Sequence, residues 1–301
     1  MFNQCIKHCR LLVWVLLIWT SPVSADINVF ACEPEWATLA SELGGDKVKV
    51  YSATTAAQDP HHIQARPSLI AKARAADLLV CTGAELEVGW LPLLLRKSAN
   101  PRIQRAQPGF FMAAEQVSLL NKPLVLDRSV GDVHGAGNPH IHLDPERLLQ
   151  VAVQLSKLMG EMDSGNLDYY QRNLRRFTEQ WQQAMMRWRH QALSLQGKAV
   201  VVHHDNWLYL EQWLGLTRVA MLEPKSGVPP TSRHLSMLLS QLEKTPADVI
   251  MLASYQGDKA ARWLSAKTNA PVLALPFSVA EDEKLIDWFD RLLAQLLEVM
   301  P

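Results

Sequence analysis

Several signatures that would place a protein in a common class are missing from these 301 residues. No apolar run approaches the about 20 residues that a helix needs to span a bilayer; the stretch from Leu11 to Trp19 holds nine. Neither sign of charge dominates, with 30 basic and 30 acidic residues and no like-charged block, so no nucleic-acid footprint or polybasic membrane patch is present. Only four cysteines occur, and the two beyond residue 25 are too few for a disulfide scaffold. A His-Glu-x-x-His helix, the mark of many zinc peptidases, is absent, as are internal repeats and low-complexity segments.

What is present begins with an address. Lys7 and Arg10 precede the nine apolar residues, and Val23-Ser24-Ala25 supplies small residues where a signal peptidase needs them, so residues 1–25 read as a signal peptide cleaved before Asp26. The remainder carries 28 basic and 30 acidic residues, a net charge of −2, and is expected to be soluble in the periplasm. Cys5 and Cys9 leave with the signal. Cys32 and Cys81 remain in a compartment where disulfides persist, and they form either a bridge or two separate buried thiols.

From Asp26 onward, short apolar runs alternate with amphipathic stretches. Ile27–Cys32, Val48–Ser52 and Asp77–Cys81 read as strands, Glu35–Leu43 as a helix, and Ser68 as the N-cap of another. Asp144-Pro145 caps a helix that Gly160 and Ser164-Gly165 are expected to break. Tyr170, Leu174, Phe177, Trp181, Ala184, Trp188 and Leu195 hold one apolar stripe from Asn166 to Gln196, longer than one small lobe requires. Strands then resume at Ala199–His203, Val219–Leu222, Ala247–Ala253 and Pro271–Phe277, with helices at Ser232–Lys244, Asp258–Lys267 and Asp282–Met300. The pattern predicts an α/β fold of two doubly wound parallel-sheet lobes, 26–165 and 197–301, joined by one long α-helix over 166–196. A ligand is expected in the interlobe cleft, at the carboxyl ends of strands.

Nine histidines follow the signal segment, and six fall in three tight groups: His61-His62 after Asp59-Pro60, His140 and His142 after Pro139, and His203-His204 before Asp205. Each group lies at a strand end or in a loop. Imidazole is the commonest protein ligand for transition metals, and three of them with a fourth donor suit tetrahedral zinc. Pro60 and Pro139 immediately precede a histidine and stiffen the backbone on either side of themselves.

Together with the export signal, the blocks Leu43-Gly44-Gly45-Asp46-Lys47-Val48, Asp59-Pro60-His61, Arg66-Pro67-Ser68, Ala75-Ala76-Asp77-Leu78-Leu79-Val80, Pro139-His140, Leu143-Asp144-Pro145 and His204-Asp205 resemble the zinc/manganese class (cluster A-I) of ABC-transporter substrate-binding proteins. The blocks run through the chain in the family's order. The resemblance implies two lobes bridged by one helix, one metal site between them, and delivery of the metal, zinc by this donor set, to an ABC permease in the membrane. It implies His61, His140 and His204 as ligands, with His62 and His142 as neighbours. His203, one residue back on its strand, is expected to point away from His204.

The sequence departs from that family in three places. Ser254-Tyr255-Gln256 stands where many members carry a glutamate. Ser278 follows the last strand where an aspartate ligand is usual, leaving water or Asp282 as the fourth donor. The histidine-rich loop of many zinc-type members is reduced to Asp132 and His134. The expected protein is a monomeric, non-enzymatic metal carrier. Two rival readings are a zinc hydrolase with a three-histidine site and a transport-defunct adhesin or chaperone of the same fold.

Overall fold

The computed structural model describes residues 26–123 and 134–301; the expected signal segment and loop positions Gly131 and Asp132 fall outside the described residues. Two four-stranded parallel sheets form. Strands β1 (Ile27–Ala31), β2 (Val48–Ser52), β3 (Leu78–Cys81) and β4 (Phe110–Met112) lie in the order β2-β1-β3-β4. Strands β5 (Ala199–Val202), β6 (Thr217–Met221), β7 (Val249–Ala253) and β8 (Val272–Leu275) lie in the order β6-β5-β7-β8. The two lobes therefore share one wiring without a sequence repeat.

Helices α1 (Pro34–Gly44), α2 (Pro67–Ala75) and α3 (Leu91–Ser98) cover the first sheet, and α6 (Leu208–Leu214), α7 (Ser232–Leu242), α8 (Lys259–Thr268) and α9 (Leu285–Val299) the second. Between the lobes run α4 (Pro145–Met162) and α5 (Leu167–Gln191). The period-2 alternation of a strand sends its residues to two cores. Val29 and Ala31 face a central core, whereas Phe30 and Cys32 face an outer one; Val200 and Val202 likewise face the center and Val201 the outside.

Central packing joins the lobes. Helix α5 is 25 residues long, about 38 Å at 1.5 Å per residue, and 3-10 turns at Ser164–Asn166 and Ala192–Leu195 continue it at both ends. Tyr170, Phe177, Trp181, Ala184 and Trp188 form its buried face. Trp181 Nε1 donates to Pro145 O at 2.8 Å, while Trp188 Nε1 donates to Asp290 Oδ1 in α9 at 2.5 Å. Trp188 also stacks on Phe289, ring centers 4.9 Å apart. The bridge is thus packed into both lobes, and truncating either indole would cost about 3–5 kcal/mol.

The Asp144 cap forms as expected, with Oδ1 accepting from Glu146 N at 2.8 Å and Arg147 N at 3.2 Å. Several local expectations fail for identifiable reasons. Pro67 occupies the first helical position of α2, so the cap falls on Arg66 and Ser68 lies inside the first turn. Gly160 does not end α4, which continues to Met162. A Cβ there would sit 2.5 Å from Leu167 Cδ1, so the glycine serves the close approach of α5's first residue. The last helix begins at Leu285, because Asp282 takes a left-handed φ of 60° in the preceding turn. Cys32 and Cys81 pair, their Cα atoms 4.8 Å apart at the ends of adjacent β1 and β3 on the outer face of the first sheet.

Candidate metal centre

The segment after β2 places His61. Asp59 Oδ1 accepts from the His61 backbone N at 3.0 Å and lies 2.9 Å from its ring Nδ1. Trp90 Nε1 fixes the same segment by donating to Pro60 O at 2.9 Å. An Nδ1–H directed at a carboxylate leaves the lone pair on Nε2, the form a metal requires. Burial opposes ionisation of Asp59, but the hydrogen bonds and charge of His61 outweigh it and hold the carboxyl below its usual range.

His204 is held in the same way from the other lobe. It stands just past β5, and its Nδ1 lies 2.7 Å from Glu223 Oε2, an oxygen that also accepts from Gly227 N at 2.8 Å. Glu223 follows β6, the neighbor of β5, so parallel pairing brings the two strand ends together. His140 arrives on the Asn138-Pro139-His140 segment. Asn138 Oδ1 accepts from His140 N at 3.0 Å, Asn138 Nδ2 donates to Asp205 O at 2.6 Å, and Tyr209 Oη donates to Asn138 O at 2.7 Å. The segment is thereby tied to the second lobe.

These placements bring the three rings together. One nitrogen from each of His61, His140 and His204 lies within 4.8 Å of the others, and the ring centers are 5.6 to 6.1 Å apart. His140 and His204 border a cavity of about 270 Å3 that Asn121, Asp205, Met221 and Lys225 also line, and His61 lines a second one of about 280 Å3 that shares His204. Burial, followed by the neighboring imidazoles, holds His140 well below the usual imidazole range, so its ring is neutral at pH 7. Its Nδ1 is buried with no hydrogen-bond partner among the described residues. The donor chemistry therefore fits a divalent transition metal.

The flanking histidines are not equivalent to these three. His62 is exposed. His142 is buried where the lobes meet, its Nε2 3.1 Å from Phe277 O and its Nδ1 3.5 Å from Glu35 Oε1. His203 does not turn fully away, since its Nε2 lies 3.7 Å from the other oxygen of Glu223. Asp282 lines a separate cleft with Pro34, Tyr51 and Thr54 and does not join the histidine group.

Sequence reasoning assigned no role to Asp59, Glu223 or Asn138. The first and last stand two residues before a histidine, where a short side chain can accept from the backbone N two residues on. Glu223 could be found only by knowing that β6 lies beside β5. A second polar group lies at the end of β1 and β3, where Thr82 N and Oγ1 donate to Glu33 Oε2 and Gly83 N donates to Glu87. Burial raises both carboxyls, Glu87 to about 7, and the charge of Glu87 adds to the rise at Glu33.

Two parallel-sheet lobes packed on one bridging helix, with imidazoles from both sides meeting in one group, define a substrate-binding protein for a metal ion. The chain belongs to the family described as zinc-uptake complex component A, periplasmic, whose model matches residues 29–299. It is 23% identical over 296 residues to the metal ABC transporter substrate-binding lipoprotein ScbA of Streptococcus cristatus, covering 93% of this chain and 92% of that protein. It is 22% identical over 265 residues to the manganese ABC transporter substrate-binding lipoprotein PsaA of Streptococcus pneumoniae, with coverage of 86% and 82%. A crystal structure of ZnuA superposes with a TM-score of 0.75 at 21% identity, covering 91% of this chain and 98% of that one. These relatives are transporter components and not enzymes, which disfavors the hydrolase reading. Among the described residues no helix is long and apolar enough to cross a membrane.

Proposed function

We propose that this protein captures zinc in the periplasm and hands it to an ABC permease, with His61, His140 and His204 as neutral ligands. The single observation that carries the reading is the convergence of three imidazole nitrogens within 4.8 Å from three separate segments. No described carboxylate belongs to that group. Nitrogen donors suit zinc better than manganese, which prefers carboxylate and water oxygens, so the donor set favors zinc even though the relative in Streptococcus pneumoniae is named for manganese.

Capture by this site works through preorganisation. Asp59 and Glu223 hold two rings with Nε2 presented, and burial keeps His140 unprotonated, so little ordering accompanies binding. The same two carboxylates face the far side of the ligand rings and offset the charge of a dication. A signal cleaved before Asp26 supports export in soluble form. The named relatives are lipoproteins, whereas at the cleavage point proposed here an aspartate stands in place of a thiol that could carry lipid.

Competition titration of zinc against a chromophoric chelator tests the assignment. Single alanine replacements of His61, His140 and His204 should each weaken zinc binding by about 100-fold or more, and Glu223→Gln by about 10–100-fold. His62→Ala and His203→Ala should stay close to the parent. Parent-like binding in all three ligand variants would sink the site, and manganese competing with zinc at equal concentration would sink the metal preference.

A further inference from the structure

Resting on that reading, we infer that His134 supplies the fourth ligand, making a site of four imidazoles with no carboxylate donor. His134 Nε2 lies 3.4 Å from His61 Nε2. With His61 Nδ1 directed at Asp59, its Nε2 carries a lone pair that points at the His134 ring. Two nitrogens bound to one tetrahedral zinc at about 2.0–2.1 Å stand roughly 3.3–3.4 Å apart. The spacing is therefore the one a shared metal requires.

Ring positions agree with this. The center of a coordinated imidazole lies about 3 Å from its metal, which puts tetrahedral ring centers roughly 5 Å apart. The His134 ring center is 5.4 Å from that of His61 and 6.3 Å from that of His140. His134 stands outside the 4.8 Å grouping of the other three, so coordination draws it inward by roughly 1 Å.

The chain around His134 is built to hold it there. His134 O accepts from Gly137 N at 3.1 Å, closing a turn that lets His134 and His140, six residues apart, border the same cavity. Gly137 has φ 124°, and a Cβ on it would meet Leu119 Cβ at 2.8 Å and Leu120 O at 2.9 Å. From the opposite side Glu85 Oε2 accepts from Gly135 N at 3.0 Å. Glu85 itself sits at φ 69°, directly after Gly83 and Ala84 at φ 79° and 49°. A non-glycine residue held in this region is strained, and here the strained loop delivers a carboxylate to the segment that presents His134.

X-ray absorption at the zinc edge and chelator competition, both on protein loaded with one equivalent of zinc chloride, test the inference. The parent should show four imidazoles. His134→Ala should show three with one oxygen, bind zinc at least about tenfold more weakly, and still bind one ion per chain. Glu85→Gln, which leaves every ring in place, should weaken binding by a smaller factor. Three imidazoles and an oxygen in the parent, or unchanged affinity in His134→Ala, would overturn the fourth-ligand inference while leaving the three-histidine site standing. Parent-like zinc binding after removal of His61, His140 and His204 would instead remove the reading beneath it.

Discussion

At the carboxyl end of β1 the chain continues into Cys32, Glu33 and Glu35, and at the corresponding end of β5 it continues into His203 and His204. Both strands hold the same place in sheets of the same order, each flanked by the second and third strands of its lobe. In the first lobe that strand end is closed: a disulfide to Cys81 lies on one side and the Glu33 and Glu87 carboxyls are buried beside it. In the second lobe the end opens into the cavity, and Glu223 from the neighboring strand turns a histidine toward it. The first lobe delivers its own rings from long loops after β2 and β4. One wiring thus supports two arrangements, a rigid base and a histidine-bearing strand end, and the difference lies in the two or three residues that follow the strand.

Breaking the base should have the largest effect on stability and almost none on the site. Cys32 and Cys81 are 49 residues apart, and the chain-entropy relation gives about 4 kcal/mol for a loop of that length. Paired replacement by serine should lower the denaturant-measured stability by about 2–4 kcal/mol while zinc affinity stays within about threefold. A comparable loss of zinc affinity would show that the two strand ends are not independent.

The buried carboxyl pair gives a smaller effect with a defined pH dependence. A carboxyl moved from 4.5 to about 7 favors its neutral form in the folded state. The folded protein then binds a proton that the unfolded chain has released, so stability falls as pH rises from about 4.5 to 7 and remains low above. The shift corresponds to at most about 3 kcal/mol. Glu87→Gln removes that penalty and should gain about 1–3 kcal/mol on the parent at pH 8 but little at pH 5. A difference between the two proteins that does not change over this range would contradict the assignment.

How much of this was legible in the sequence follows from the range of the interactions. The strands of β1, β2 and β7, the Asp144 cap and the stripe of α5 are written in neighboring residues and could be read directly. Phe110–Met112 is too short a strand to show a period, and α3 and α6, at eight and seven residues, barely complete two turns. Helix α4 carries Gly160 inside it where Leu167 packs closely, a contact invisible to local propensity. At the site, the histidine pairs advertise themselves by clustering and by their prolines. His134 does not, since it stands alone in a glycine-rich stretch, and only the fold brings it to His61 across 73 residues. Glu223 and Glu85 belong to the same category, carboxylates whose roles depend on which strands and loops become neighbors.

The smallest effect expected is a change of shape on binding zinc. The proposed ligands come from both lobes, so a freely hinged pair would close around the ion. Here α5 is anchored in the first lobe through α4, where Trp181 bonds Pro145 O, and in the second through α9, where Trp188 bonds Asp290. A single central core includes residues of both sheets and of the helix. Separating the lobes must therefore bend α5 or expose that core, whereas a loop hinge only rotates a few backbone angles. A chain of this size has a radius of gyration of about 19 Å. Small-angle scattering of metal-free and zinc-loaded protein should agree within about 0.5 Å, because the rings close by side-chain and loop movement alone. A contraction of more than about 1 Å would show that the lobes swing as bodies, and the packing of Trp181 and Trp188 would then have to differ between the two states.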